Sequence, residues 1–389
     1  MVNFTKLLGG NAGISEVMKS GGNRQDVPYF QSCDIFHPLV IFNITKRCNL
    51  KCSHCYLESQ DTQYKGELSW NKIKKIIDIF GQIKIPVLLL SGGEPLMHKD
   101  IFKIIEYAKN KNIRVGLSTN GTLISKSVAR RLKDVEIDYV GVSIDGRRKL
   151  HDKIRNLDGA YDAAFTGLIN GLEKGLKTGI RFMINKINVS ELPEILDLCV
   201  QEKIPRFCMY HLVYAGRGRS LIDEDIDNPT RRKTVDFLIK RTLELKGQKQ
   251  DIEILTVDNH ADGIYIYNYL KQHNQAGQKK ALELIKLHGG CSAGTKVVDI
   301  SPEGNMSACQ FWWDHILGNI SKQDFGEIWM NEKDNMLCQL RSKATSLKGK
   351  CGRCRFKNYC GGCRIRALQK YNDFLQEDPC CYLTENEIK

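Results

Sequence analysis

Three cysteines spaced C-x3-C-x2-C, Cys48, Cys52 and Cys55, follow directly on a short apolar run in this 389-residue chain. Three thiolates at that spacing can bind three irons of a cubane and leave the fourth without a protein ligand, whereas a cysteine-held iron–sulfur cluster normally uses four. The same residues could instead make a zinc site or be plain buried thiols, and their spacing alone does not separate the readings.

Cysteine is dense again near the other end. Cys351-x2-Cys354-x5-Cys360, with Cys381 further on, supplies four thiols for one more cluster, and Cys291, Cys309 and Cys363 are three that could hold another. The competing reading is a zinc ribbon made from the C-x2-C pairs 351/354 and 360/363. Cys33, Cys199, Cys208 and Cys338 read as buried or incidental thiols. Fifteen cysteines in a chain whose first 22 residues hold no continuous apolar h-region argue for metal ligation in a cytoplasmic protein rather than for disulfides.

Three further polar clusters carry potential chemistry: Ser91-Gly92-Gly93-Glu94-Pro95, Ser118-Thr119-Asn120-Gly121 and Ser143-Ile144-Asp145-Gly146. Paired glycines let a backbone approach a ligand, and Glu94 can accept from an ammonium or hydroxyl group. Ser118, Asn120, Ser143 and Asp145 suit ribose hydroxyls, and Arg155 suits a carboxylate. Taken singly, these are equally turns and helix caps.

The elements that must position them alternate. Apolar runs at 39–44, 87–90, 113–118, 139–144, 180–184 and 207–214 read as strands. Amphipathic helices are expected from Ser69, with Ile73, Ile76, Ile77 and Phe80 on one face, and over 100–110, 125–132, 161–174 and 190–201, with Ser69, Ser125 and Ser190 as N-caps. Strand–helix repetition predicts a parallel α/β sheet, an open, partial (β/α)6 TIM-like barrel. The cysteine loop and the three clusters then fall at strand C-terminal ends, on one rim, where such barrels build active sites.

After residue 215 the pattern changes. A helix over 229–245, a strand over 252–257 and a polar helical stretch make a bridging region, 216–290. A hairpin about Pro302-Glu303-Gly304 and a helix over 325–340 open a cysteine-rich C-terminal extension, 291–389, which is short of core residues and needs metal staples. The expected division is thus 1–37, 38–215, 216–290 and 291–389.

Composition is that of a globular protein, 42% hydrophobic and 26% charged, with no apolar run near the roughly 20 residues needed to span a bilayer. A net charge of +13 suits nucleic acid, an acidic peptide or a polycarboxylate, or is a solvated lysine-rich surface. No basic run interleaves with aromatics, which speaks against nucleic acid.

C-x3-C-x2-C after the first strand, with Gly-Gly-Glu-Pro after the second, resembles the radical S-adenosylmethionine (SAM) superfamily. The resemblance implies that Cys48, Cys52 and Cys55 bind a [4Fe–4S] cluster whose open iron takes the amino and carboxylate groups of SAM. It implies that Gly92, Gly93 and Glu94 hold the methionine amino end. Ser118, Asn120, Ser143 and Asp145 would lie near the ribose and carboxylate, and Arg155 near the carboxylate. An aromatic residue usually precedes the third cysteine; here that residue is His54, and Tyr56 follows as the cofactor contact. One-electron reduction would cleave SAM to methionine and a 5′-deoxyadenosyl radical, with ferredoxin or flavodoxin as donor.

The tail is similar to the SPASM extension of radical SAM enzymes, through Leu317-Gly318-Asn319-Ile320 and Phe325-Gly326-Glu327-Ile328-Trp329. Val297 stands where another first-cluster ligand is expected, so the resemblance implies one or two auxiliary clusters, the first absent or three-coordinate. Cys381 is preferred to Cys380 as ligand because it precedes Tyr382, as in the haem d1 and alternative haem biosynthesis proteins that the chain also resembles.

Residues 210–218, Thr256-Val257-Asp258-Asn259-His260, Gln310-Phe311-Trp312-Trp313 and 378–383 resemble the haem d1 and alternative haem biosynthesis branch. That implies an iron tetrapyrrole such as 12,18-didecarboxysirohaem, losing two acetate side chains to give iron-coproporphyrin III. Arg217, Arg219 and Lys296 would then meet carboxylates, Tyr210, Trp312 and Trp313 would wall the macrocycle, and His211 or His260 would ligate its iron or be structural. Two alternatives stand beside it: oxidative decarboxylation of iron-coproporphyrin III propionates to haem b, and maturation of a peptide by thioether or carbon–carbon cross-links. The 37 residues before the first strand are short for a peptide-leader domain.

Overall fold

The alternating runs assemble into one eleven-stranded sheet in the computed structural model, which describes residues 1–9, 34–273 and 275–389. The six expected strands are β2 (Leu39–Asn43), β3 (Val87–Ser91), β4 (Arg114–Thr119), β5 (Tyr139–Ser143), β6 (Thr178–Ile184) and β7 (Arg206–His211), all paired in parallel in chain order. This is the partial TIM-like barrel. The parallel run extends beyond it on both sides, through β8 (Glu253–Val257) on β7 and β9 (Val297–Ile300) on β2. Antiparallel β1 (Val2–Asn3) edges β8, and β10 (Asn305–Ser307) and β11 (Gly318–Asn319) follow β9.

The sheet therefore runs across the expected divisions at 215/216 and 290/291. Val2 and Asn3 also belong to it, with Phe4, Leu7 and Leu8 buried just after them and Asn3 Nδ2 donating to Glu253 Oε1 at 2.7 Å. Expectations for the stretch 10–33, including Cys33, fall outside the described residues.

Helices cover the strands with apolar stripes at i, i+3, i+4 spacing. After α1 (Phe4–Leu7), α2 (Trp70–Gln82) buries Ile73, Ile76, Ile77 and Phe80, and α3 (Ile101–Asn110) buries Ile101, Ile104, Ile105 and Ala108. There follow α4 (Lys126–Asp134), α5 (Arg148–Arg155), α6 (Ala160–Glu173) and α7 (Leu192–Gln201). Ser125 caps α4 through Val128 N at 3.2 Å, whereas Ser69 makes no capping bond and Ser190 sits within a single 3-10 turn before α7. Sequence reasoning missed α5, whose last residue is Arg155.

Beyond β7 come α8 (Asn228–Gly247), α9 (Ala261–His273) and α10 (Gln275–His288). The single helix expected over 325–340 is two, α11 (Phe325–Trp329) and α12 (Asn335–Arg341), because Asp334 starts a new helix by accepting from Leu337 N at 2.7 Å. Short helices α13 (Lys343–Ser346), α14 (Gly349–Arg353), α15 (Arg364–Tyr371) and α16 (Glu385–Ile388) carry the cysteine-rich tail. Among the described residues no helix is long and apolar enough to cross a membrane.

Candidate active site

The loops after β2, β3, β4 and β5 open into one cavity of about 160 Å³. Cys48, Cys52, Cys55, Tyr56, Gly92, Gly93, Ser118, Asn120, Ser143, Asp145 and Arg155 line it, as the rim argument requires. The Gly-Gly loop lies directly on the cysteine loop: Gly93 N donates to Thr45 O at 2.8 Å and Glu94 N to Arg47 O at 2.9 Å. A Cβ on Gly93 would stand 2.3 Å from Arg47 O, and Gly92 has φ +135°, so neither position admits a side chain without moving that loop.

Each thiol of the loop receives an N–H. Leu50 N points to Cys48 Sγ at 3.4 Å, Ser59 N to Cys55 Sγ at 3.4 Å, and Arg155 Nη1 to Cys52 Sγ at 3.4 Å. Donors aimed at sulfur favour thiolates, yet burial outweighs the Leu50 N–H and, with the nearby acidic groups, leaves the Cys48 thiol raised to about 12. Thiols so placed call for a metal to hold them ionised, and an iron–sulfur cluster fits this donor set.

Several side chains expected to meet SAM are engaged within the protein. Glu94 is fully buried and turned away from the cavity, accepting from Thr119 Oγ1 at 2.8 Å, Asn120 N at 2.8 Å and Leu96 N at 3.1 Å. Through these bonds it braces the β4 loop, and burial raises its carboxyl to about 7 against those donors. Asp145 and Arg155 pair with each other at 2.5 Å, and Asp145 also accepts from Met183 N at 2.8 Å. Burial alone would raise the Asp145 carboxyl, but Arg155 and His54 hold it below the usual range. Asn120 bonds to Asn49 and Thr122 and reaches Cys48 Sγ at 3.8 Å, and Ser118 accepts from Arg181. Tyr56 bonds to Asn43 Oδ1 at 2.7 Å, which ties the cysteine loop through Asn43 Nδ2 to Asp299 of β9 at 2.8 Å.

The residues expected to meet the substrate divide. Tyr210 lines the cavity, its ring under the Arg181 guanidinium at 4.6 Å. His211 also lines it, with Nε2 on Asp262 Oδ2 at 2.9 Å and Nδ1 buried without a partner. Arg217 holds the cysteine loop, Nε on Cys52 O at 2.7 Å and Nη2 on Ser59 O at 3.0 Å. Arg219 pairs with Asp314, and Lys296 Nζ donates to Leu287 O. Trp312 is buried behind the wall against Phe374, and Phe311 lines the cavity in its place, edge-on to Tyr56. His260 does not line the cavity, and its charged surroundings include Arg366 and Lys343.

Sequence reasoning missed Arg181 and Asp258, both lining the cavity. For Arg181 there was a signal. In β6, Ile180, Phe182 and Ile184 are fully buried in the core, so a period of two puts Arg181 and Met183 on the other face.

The tail cysteines form two sets. Cys351, Cys354, Cys360 and Cys381 line one small cavity, of about 20 Å³. Cys363 is not there; it packs with Cys291 and Cys309, so the C-x2-C pairs of a zinc ribbon do not come together. Cys380 is occupied elsewhere, donating to Asp225 Oδ2 at 3.2 Å. Cys199 and Cys208 are buried, and Cys338 donates to Glu332 O. The two sets touch through backbone, Cys291 N donating to Cys360 O at 3.1 Å.

Comparison with known proteins adds a second line. Residues 42–199 match the radical SAM superfamily model, and residues 291–355 match SPASM, described as an iron–sulfur cluster-binding domain. The chain is 41% identical over 394 residues to Fe-coproporphyrin III synthase of Methanosarcina barkeri, covering 100% of this chain and 99% of that protein. It is 41% identical over 353 residues to pre-heme d1 synthase of Dinoroseobacter shibae, covering 90% of this chain and 87% of that one. Among solved structures, Streptococcus suis SuiB bound to S-adenosylmethionine superposes with a TM-score of 0.70 at 19% identity, over 88% of this chain and 77% of that chain, a likeness of fold.

Proposed function

This chain belongs to the radical SAM superfamily and carries a SPASM extension, and on that premise we propose that it removes the two acetate side chains of 12,18-didecarboxysirohaem to give iron-coproporphyrin III. It is an enzyme of haem biosynthesis with iron–sulfur and SAM cofactors. In our assignment Cys48, Cys52 and Cys55 hold the SAM-binding [4Fe–4S] cluster, and Cys351, Cys354, Cys360 and Cys381 an auxiliary one. With SAM on its open iron, the first cluster supplies a reductive cleavage that generates the 5′-deoxyadenosyl radical for hydrogen abstraction.

The protein's own part is placement. Gly92 and Gly93 bring bare backbone to the cofactor side, and Tyr56, Ser118 and Ser143 line the same wall. Arg155 and Arg217 hold the cysteine loop from Cys52 Sγ and Cys52 O. At the far side Arg181 offers a guanidinium for a tetrapyrrole carboxylate, stacked on Tyr210, with Phe311 as apolar wall.

The observation that carries the reading is this joint cavity of thiols, glycines and one aromatic-backed guanidinium, in a chain matching Fe-coproporphyrin III synthase end to end. A net charge of +13 suits both a polycarboxylate and an acidic cytoplasmic donor, ferredoxin or flavodoxin. The test is anaerobic incubation with didecarboxysirohaem or iron-coproporphyrin III, SAM and reductant, read by mass spectrometry. Loss of two acetates from the first is expected. Conversion of the second alone would replace the proposal by decarboxylation to haem b, and turnover of neither with SAM cleavage intact would turn it to a peptide substrate.

A further inference from the structure

We infer that Asp258 completes the ligand set of a second auxiliary iron–sulfur cluster, its carboxylate binding the iron that Cys291, Cys309 and Cys363 leave open. The inference rests on assigning those three cysteines to a cluster of their own, which their packing together supports. Val297, where a fourth cysteine was expected, is locked in β9 opposite Leu39 and supplies no donor.

Asp258 directly follows β8 and is held in an unusual way. Its φ of +71° lies in the left-handed region that residues with a Cβ seldom occupy. Arg366 Nη2 fixes it there by donating to Asp258 O at 2.6 Å, from helix α15, whose N-cap is Cys363. That bond and the left-handed backbone together fix the direction of the Asp258 side chain. That side chain ends in an oxygen, Oδ2, that is buried with no hydrogen-bond partner. The Arg366 guanidinium and the Met1 amino group offset its charge through space, but neither bonds to Oδ2, and a buried carboxylate oxygen left without a partner is unfavourable.

The cation is placed by three neighbours. Asp258 lines the same cavity as Gln310 and Phe311, the two residues after Cys309. Its charge is among the influences that follow burial in raising the Cys309 thiol, together with Cys291 and Cys363. Its backbone is tied to the helix that begins after Cys363. Cluster iron takes a carboxylate oxygen less readily than a thiolate, so the held position of Asp258 has to supply what its donor atom lacks. Three soft donors and one hard donor then close the set, on the side of the cluster that faces the substrate cavity.

The test uses full-length protein, reconstituted anaerobically, in a Cys48→Ala/Cys52→Ala/Cys55→Ala background so that the SAM-binding cluster gives no signal. Two auxiliary cubanes give about eight irons per chain. Adding Asp258→Ala should open one iron: the reduced protein's electron paramagnetic resonance spectrum then shifts with cyanide, or about four irons are lost. Asp258→Cys should restore both the iron and the insensitivity to cyanide. An Asp258→Ala spectrum and iron content unchanged with cyanide, or loss of iron that Asp258→Cys does not restore, would overturn the inference. A Cys291→Ala/Cys309→Ala/Cys363→Ala protein that keeps all its iron would instead remove the three-cysteine assignment beneath it.

Discussion

Arg155 joins Asp145 to Cys52, its Nη2 on the carboxylate at 2.5 Å and its Nη1 on the sulfur at 3.4 Å. The carboxylate neutralises the guanidinium in a buried site and fixes the direction in which its second N–H points. A charge-assisted N–H to a cluster sulfur stabilises the reduced cluster more than the oxidised one, since reduction adds negative charge. Arg155→Gln should therefore lower the midpoint potential of the SAM-binding cluster by on the order of 100 mV, taking roughly 1.5–3 kcal/mol for the contact. The double variant with Asp145→Asn, which leaves no buried unpaired carboxylate, should fall by a similar amount. A redox titration followed by electron paramagnetic resonance that finds no shift in either would remove this role.

His151 makes the same region sensitive to acid. Its Nδ1 accepts from Asp145 N at 3.1 Å, so the ring must be neutral, and protonation would set one N–H against another. Burial, with Arg155 next, lowers its pKa from the ordinary 6.5 to about 4. A base with a depressed folded pKa contributes stability above its unfolded value, lost as pH falls from 6.5 towards 4. At about 1.4 kcal/mol per unit the loss is roughly 3 kcal/mol. Anaerobic urea unfolding between pH 7.5 and 4.5 should show this slope in the parent and a shallower one in His151→Asn. Equal slopes would contradict it.

Much of this site was legible because polar clusters follow apolar runs, and the ends of parallel strands share a rim. What escaped was direction. Glu94 follows the paired glycines as a ligand contact would, and nothing in its local pattern says that its carboxylate accepts from Thr119 and Asn120. Cys360 and Cys363 are spaced like a metal-binding pair, yet Gly361 and Gly362, at φ +67° and +58°, carry the second thiol to another set. Trp312 and Phe311 are adjacent, yet Phe311 reaches the cavity while Trp312 packs against Phe374, so an aromatic run names the wall without saying which ring forms it. The addition of β8 and β9 to the sheet depends on pairings remote in sequence, Tyr210 with Val257 and Leu39 with Val297, which local patterns do not encode.

Gly93 offers a test of the bare backbone. A methyl there would stand 2.3 Å from Arg47 O and 2.6 Å from Lys46 O, both backbone atoms that open the cysteine loop. That contact is too close for small adjustments, so the two loops must separate. Gly93→Ala should keep its auxiliary iron and lose at least about tenfold in SAM affinity, which is 1.4 kcal/mol. Equilibrium binding of SAM to the reconstituted protein reads this directly, and unchanged affinity with full iron would show that the loops do not need their close approach.

Arg181 decides between the two walls of the cavity. It donates to Ser118 on the cofactor side and stacks over Tyr210 on the other, so its charge could serve either SAM or the tetrapyrrole. The proposed function assigns it to a substrate carboxylate, where a planar fork is worth more than a point charge. Arg181→Lys should then raise KM for the tetrapyrrole about tenfold and Arg181→Leu by up to about a hundredfold, the range of a charged hydrogen bond. SAM binding and the slow cleavage of SAM without substrate should be unchanged in both. If SAM affinity falls instead while KM for the tetrapyrrole holds, Arg181 belongs to the cofactor, and the substrate carboxylates must find their partner at a different part of the rim.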